Sequence, residues 1–476
     1  MPFLLLFSLL ILLIPIYLFF LFIRRNRISN TFAFFHPYCD ACGGGERVLW
    51  LALNALYLRF PELNFIIYTG DINTTSEQII KKANSRFNIS IPTDRLNFIF
   101  LKTRWILESK NYPRFTLIAQ LFSGLIIGFE ALFKFNPEWF IDTTGCPLTL
   151  PLFYWIGGAK TICYIHYPII TKEMIQLINC RITTYNNSSI ISSSFLLTKL
   201  KLFYYRIISF LYKLCGKCSQ LTIVNGSWTS SHIENLWLYK PFIIYPPCNV
   251  EKLLKLKNKS EEENKTKIIK IISVGQIRPE KDHLKQLRIF AEVKQLIEKR
   301  KLNINIKLII AGGCRNEEDL KRVEFLQNYA RGNFGMEPGV EIDWELNINW
   351  ERLEELMENS LIGLHTMWNE HFGISVVEGM AAGIIMVAHN SGGPLLDIIG
   401  NNNNLNEINN NNKCGFLANT NEEYINTIIN ILEMTSNELE NIRNNARNKA
   451  VNFSDNLFEK KFCDLIASFF EKNKEI

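Results

Sequence analysis

Short apolar segments recur along this chain in two separate series, and stretches with helical periodicity lie between most of them. The first series reads "TFAFF" (31–35), "NFIIYTGD" (64–71), "WFIDTT" (139–144), "TICYIHYP" (161–168) and "LTIVNGS" (221–227). The second reads "IIKIISVGQ" (268–276), "IKLIIAGG" (306–313), "LIGLHTM" (361–367) and "IIMVAHN" (384–390). Segments this apolar are strands covered on both faces, so the pattern predicts parallel sheets flanked by helices. Between the series, "KLKNKSEEENKTK" (255–267) is charged and nearly free of apolar residues, as a linker is. The expected fold class is therefore α/β, with two Rossmann-like halves facing a ligand cleft at the carboxyl ends of their strands. The expected parts are an anchor at 1–24, an N-terminal domain at 25–256, a linker at 257–267, a C-terminal domain at 268–454 and a closing helix at 455–476.

The anchor follows from residues 3–23, which carry no charge. At helical rise they reach roughly 31 Å, about one hydrocarbon core. Arg24, Arg25 and Arg27 follow directly, and no basic residue precedes them. That charge order predicts an uncleaved transmembrane helix with the body on the cytosolic side. A segment buried within the protein is the competing reading. Two further stretches are membrane-prone. Residues 115–129 are uncharged but short. In 195–217, Lys199, Arg206 and Lys213 recur every seven residues on one helical stripe, with leucines and aromatics over the rest. For both, a core helix with one solvated face is the alternative.

A net charge of +6 on 476 residues is modest and gives no reason to expect nucleic acid. The 11 cysteines are scattered, and a cytosolic body would keep them reduced. Two Cys-x-x-Cys pairs, Cys39/Cys42 and Cys215/Cys218, could form a zinc site, but one lies in a glycine turn and the other ends an aromatic helix, which favours a structural role. Sequons such as those at Asn73 and Asn187 arise readily in an asparagine-rich chain. The run 400–413 is a low-complexity insert without an assigned role.

Three stretches carry chemistry. "HPYCDACGGGERVLW" (36–50) follows the first strand and opens a helix; Gly43, Gly44 and Gly45 would let backbone amides approach a phosphate. An ordinary structural turn reads the same way, and neither the dehydrogenase nor the NTPase glycine fingerprint is present. "GQIRPEKDH" (275–283) puts Arg278 and Lys281 at a strand's carboxyl end, where both suit phosphate oxygens. "NEHFGISVVEGMAAG" (369–383) has Glu370 on a loop, Phe372, Gly373 and Ile374 at a helix start, and Glu378 within the helix. A diphosphate at that helix start would leave Glu378 for a ribose and Glu370 for an attached sugar. "HNSGGP" (389–394) adds a glycine turn one strand later.

These stretches, with "YIHYP" and "VNGSWT", resemble the retaining group 4 glycosyltransferases of the GT-B fold. Within that group they look like the eukaryotic family of α-1,2-mannosyltransferases that use GDP-mannose and dolichol-linked oligosaccharide. The resemblance runs from about Thr31 to the C-terminal helix. It implies donor GDP-mannose, acceptor Man3GlcNAc2-PP-dolichol and transfer of the fourth and fifth mannoses at the cytosolic face of the endoplasmic reticulum membrane. Other mannosyltransferases of the dolichol pathway are possible partners, and neither a cofactor nor a metal is expected. By resemblance, Glu370 and His166 are catalytic, Glu378 holds the ribose, and Lys281 and Gly43–Gly45 serve the diphosphate. The family's arginine is replaced by Gln276, so Arg278 is the nearest candidate for its role; Asp40 and Cys42 also depart from the pattern. The resemblance further implies a front-face route, in which a phosphate oxygen takes the acceptor's proton. Two alternatives stand beside this reading: another dolichol-pathway or glycolipid mannosyltransferase of the same fold, or a catalytically inactive, membrane-anchored nucleotide-sugar-binding scaffold.

Overall fold

The computed structural model describes residues 14–15, 17–41, 43–181, 189–257, 268–400 and 412–474. Most of the expected anchor, Cys42, Asn187, nearly all of the linker and most of the asparagine-rich insert lie outside them. The chain forms two compact units, one of residues 1–246 and 458–476, the other of 247–457. The change-over thus comes ten residues before the expected border at 256, and the closing helix belongs with the first unit.

Unit 1 holds a parallel sheet of seven strands: β1 (Ile28–Phe35), β2 (Asn64–Thr69), β3 (Leu96–Phe100), β4 (Pro137–Asp142), β5 (Lys160–Ile165), β6 (Leu221–Val224) and β7 (Phe242–Ile243). Their order is β3-β2-β1-β4-β5-β6-β7. Successive residues of β1 feed opposite cores. Phe32 and Phe34 pack with Phe65, Trp139 and Tyr164 on one face, while Ala33 and Phe35 pack with Tyr68, Phe140 and Phe153 on the other. This two-sided burial is why the strands read as unbroken apolar runs.

Helices cover both faces. α1 (Gly44–Arg59) follows β1, α2 (Thr116–Lys134) precedes β4, and α3 (Phe195–Gly216) precedes β6. The first core is completed by the chain's end: Phe458, Phe462, Ile466 and Phe470 are all buried in it. Phe470 sits 4.0 Å, centroid to centroid, from Trp139.

Unit 2 repeats the plan with six parallel strands: β8 (Ile268–Val274), β9 (Asn305–Gly312), β10 (Ile342–Leu346), β11 (Ile362–His365), β12 (Ile385–His389) and β13 (Phe416–Ala418). Their order is β10-β9-β8-β11-β12-β13. α4 (His283–Lys299) follows β8 and α5 (Ile374–Ala381) follows β11. α6 (Asp455–Lys474) is the helix that returns to unit 1. In each sheet the strand order reverses beside the first strand, at β1/β4 and at β8/β11. Such reversals open a crevice at the carboxyl ends of the strands, where α/β proteins place ligands.

Candidate active site

In unit 2 the crevice lies between the loops that follow β8 and β11. After β8 the chain turns through Gly275–Arg278 into one 3-10 turn, Pro279–Lys281. The Gly275 and Ile277 amides donate to the carbonyls of Ala311 (3.0 Å) and Gly313 (3.2 Å). This close approach requires glycine at 312, where a Cβ would come within 2.2 Å of the Gly275 carbonyl oxygen. From the β11 side, Thr366 donates its hydroxyl to the Lys281 carbonyl at 2.9 Å, and Gln286 Nε2 donates to the same hydroxyl at 3.0 Å.

So held, Lys281 pairs its ammonium with Oε2 of Glu370, across the reversal point. His365, the last residue of β11, brings Nε2 to 3.1 Å from the same oxygen. Its main-chain carbonyl accepts from the Tyr424 hydroxyl at 2.9 Å, which anchors the strand end. Burial alone would push the Glu370 carboxyl up. The Lys281 charge and the His365 hydrogen bond outweigh it and hold the group well below the usual carboxylate range. Glu370 is therefore an anion at neutral pH.

The loop carrying Glu370 rests on the glycine turn after β12. Ser391 Oγ accepts from the Asn369 amide at 2.8 Å, and the Gly393 amide donates to the Glu370 carbonyl at 2.8 Å. Gly392 has φ +57°, and a Cβ there would lie 2.2 Å from the Glu370 carbonyl oxygen; a Cβ at Gly393 would lie 2.1 Å from that of Phe372. "HNSGGP" thus serves as the shelf under Glu370. The loop ends at Gly373, φ +110°, which starts α5 with no side-chain cap. The first amides of an uncapped helix suit an anion. Ile374 and Glu378 lie on α5, both half-buried. The Phe372 ring packs edge-on against Phe453 at 5.4 Å, so its side chain serves the core. Gly379 abuts Met386 of β12, where a Cβ would be 2.4 Å from the sulfur. Arg278 sits on the exposed side of its turn, 4.0 Å from Glu280.

In unit 1 a second cluster gathers at the β1/β4 reversal. His36, directly after β1, lies with Nδ1 2.8 Å from the Thr143 hydroxyl after β4 and Nε2 3.4 Å from Glu46. His166, directly after β5, lies with Nε2 3.1 Å from the Thr143 carbonyl, and its own carbonyl accepts from Asn225 Nδ2 at 2.7 Å. Glu46 closes the first turn of α1 by accepting from the Gly43 amide. Burial would raise the Glu46 carboxyl, but His36 and the backbone amides hold it low. A Cβ at Gly45 would lie 3.6 Å from His166 Nε2 and 3.9 Å from His36 Cε1, so both rings face the glycine turn. Asp40 faces elsewhere, to Lys82 at 2.9 Å.

Among the predicted residues, the fold joins Lys281 to Glu370 and sets Gly45 beside His166. Sequence reasoning passed over His36, His365 and His283. Each stands next to a strand end or helix start inside a stretch already singled out, and that position was the available signal. His283 is buried at the start of α4; burial and the charges of Arg322 and Lys281 bring it down to about 4. Among the described residues no group of three or more His, Cys, Asp or Glu is arranged to hold a metal ion. Cys39 is buried with its thiol donating to the His36 carbonyl at 2.9 Å.

Two family models match: one described as ALG11 mannosyltransferase N-terminus, over residues 29–237, and one described as glycosyl transferases group 1, over residues 255–449. The GDP-Man:Man(3)GlcNAc(2)-PP-Dol alpha-1,2-mannosyltransferase of Caenorhabditis elegans is 42% identical over 437 residues, covering 91% of this chain and 90% of that protein. The Homo sapiens protein of the same description is 41% identical over 452 residues, covering 94% and 89%. Among solved structures, the sucrose-phosphate synthase of Thermosynechococcus elongatus superposes with a TM-score of 0.66 at 12% identity, covering 93% of this chain and all of that one. That likeness establishes the fold, two parallel α/β sheets of the GT-B kind.

Proposed function

This chain belongs to the family of GDP-Man:Man(3)GlcNAc(2)-PP-Dol alpha-1,2-mannosyltransferases, and on that premise we propose that it moves mannose from GDP-mannose to a dolichol-linked Man3GlcNAc2 oligosaccharide in α-1,2 linkage, adding the fourth and fifth mannoses. The observation that carries the reading is the Lys281–Glu370 pair at the β8/β11 crevice, with an uncapped helix start beside it. In this proposal the diphosphate of GDP-mannose lies at the start of α5. One of the three ammonium donors of Lys281 is used by Glu370, which leaves two for phosphate oxygens. Arg278 is the nearest further cation on the same turn. Glu378 takes the ribose hydroxyls, and Glu370 the mannose that is transferred. His166 lies beside Gly45 in unit 1, and the family resemblance gives it a catalytic role.

The step breaks the bond between mannose C1 and the diphosphate oxygen and forms one from C1 to the acceptor's 2-hydroxyl oxygen. The hydroxyl proton goes to the departing phosphate oxygen. The gathering negative charge meets preorganised donors, the largest kind of help a site of this type gives. Because the acceptor carries dolichol, the reading places the protein at the endoplasmic reticulum membrane, with residues 3–23 as anchor and the body on the cytosolic side.

The test is transfer by the purified full chain to Man3GlcNAc2-PP-dolichol, with GDP-mannose set against UDP-glucose. The expected outcome is a mannosylated product that an α-1,2-specific mannosidase trims back. Transfer of glucose instead, or no transfer while GDP-mannose binds, overturns the proposal.

A further inference from the structure

Unit 1 carries apolar surface that its own core does not use. α3 buries Thr198, Tyr205, Ile208 and Tyr212 on its inner side. On the opposite side Leu196, Leu200, Phe203, Ile207, Phe210 and Leu214 are exposed. They follow one another at alternating steps of four and three residues, which makes a single straight stripe. Lys199, Arg206, Lys213 and Lys217 run along one flank of it, and α3 contains no acidic residue.

α2 repeats the arrangement. Ile127, Ala131 and Leu132 are buried in the core with Phe35, Phe140 and Phe153, while Phe122, Ile126 and Phe133 are exposed. It is linked to α3 by the Phe115–Tyr204 ring pair at 5.6 Å and by the Ile118 amide donating to the Tyr204 hydroxyl at 3.0 Å. It meets the N-terminal helical segment 17–25 through Phe19 and Phe133, 6.1 Å apart. Among the described residues α2 is the helix long and apolar enough to cross a bilayer. Its inner face belongs to the core, so crossing would tear that core open.

We infer that the α3 stripe docks on the surface of a bilayer that contains anionic phospholipid, with its apolar residues at the acyl boundary and its basic row among the headgroups. The charge pattern selects this occupant. An apolar stripe edged by cations alone fits a surface that is apolar below and negative above. A second copy of the same face would set like charges against each other. The inference deepens the membrane placement proposed above, and its test needs no donor sugar, so it fails separately from the transfer assay.

The test uses the full chain in vesicles, with the photocrosslinker p-benzoylphenylalanine at Phe203, Phe210 or, as a control, Phe325, an exposed residue of unit 2. With the N-terminal run as the anchor proposed above, every variant stays on the vesicle, so adducts report which face meets lipid. In phosphatidylcholine vesicles with added phosphatidylserine, lipid adducts at Phe203 and Phe210 should exceed the control by roughly tenfold. Reversing Lys199, Arg206 and Lys213 to Glu should cut that yield several-fold only when phosphatidylserine is present. Yields no higher than at Phe325, crosslinks to another copy of the chain, or indifference to charge reversal would overturn the inference.

Discussion

Lys281 and Glu370 each need the other. Replacing Lys281 by Ala leaves a nearly buried carboxylate with His365 alone, and removes a cation from the proposed diphosphate. A lost charge-assisted hydrogen bond is worth about 1.5–3 kcal/mol, so KM for GDP-mannose should rise roughly 10- to 100-fold. Lys281→Arg should not rescue it, because a planar fork does not fit where one compact ammonium meets one oxygen. Glu370→Gln keeps the shape and removes the charge. Transfer should fall by roughly 100-fold or more while GDP binding, read by calorimetry, stays near its original strength. GDP binding lost together with transfer would put Glu370 in nucleotide binding instead. Both residues were singled out in the sequence chiefly by the resemblance of their stretches to group 4 glycosyltransferases, and the fold brings their side chains together. The histidines that flank them were not: one His at a strand end looks the same whether it fills a core or steers a carboxylate. Gly392 and Gly393 announced a turn, but only the fold reveals that the turn carries the Glu370 loop.

The elements divide the same way. The strands foreseen from apolar runs lie inside the two sheets. The four not foreseen, β3, β7, β10 and β13, are the four sheet edges. An edge strand has a neighbour on one side only and mixed burial. "LNFIF" and "IDWEL" each have a single buried residue, and "FI" of β7 has none. Their strand character comes from pairing, which no local pattern records. α6 was foreseen as a separate closing helix with no half assigned, because an amphipathic stripe does not name its partner; it packs in unit 1. Phe470→Ala tests the placement. Its ring sits against Trp139, Phe60 and Phe32 at 4.0, 4.9 and 6.1 Å, so truncation should destabilise unit 1 by about 3–5 kcal/mol. Hydrogen exchange should quicken in β1 and β4 while β8 and β11 hold; uniform quickening in both units would refute the assignment.

Across the whole molecule, acid should act unequally. His283 and His389 in unit 2 are both brought down to about 4, chiefly by burial. Their unfolded value is about 6.5, so the unfolded state binds their protons first. Their contribution is complete above that value and is lost as pH falls toward 4, on the order of 3 kcal/mol for His283 and less for the more solvated His389. Burial raises Asp142 in unit 1, which works the opposite way. Hydrogen exchange from pH 7 to pH 4 should therefore loosen β8, β11 and β12 before β1 and β4, and His283→Gln should blunt the effect; simultaneous loosening would argue against it.

The return of α6 also sets a timetable for biosynthesis. A ribosome adds about 5–20 residues per second, and all of unit 2 must emerge before Phe458, Phe462, Ile466 and Phe470 become available. Until then the nascent first half waits with Phe32 and Trp139 unroofed. A cell that halts translation between the end of unit 2 and Phe458 would be left with a finished second half and a first half fit only for a chaperone or a protease.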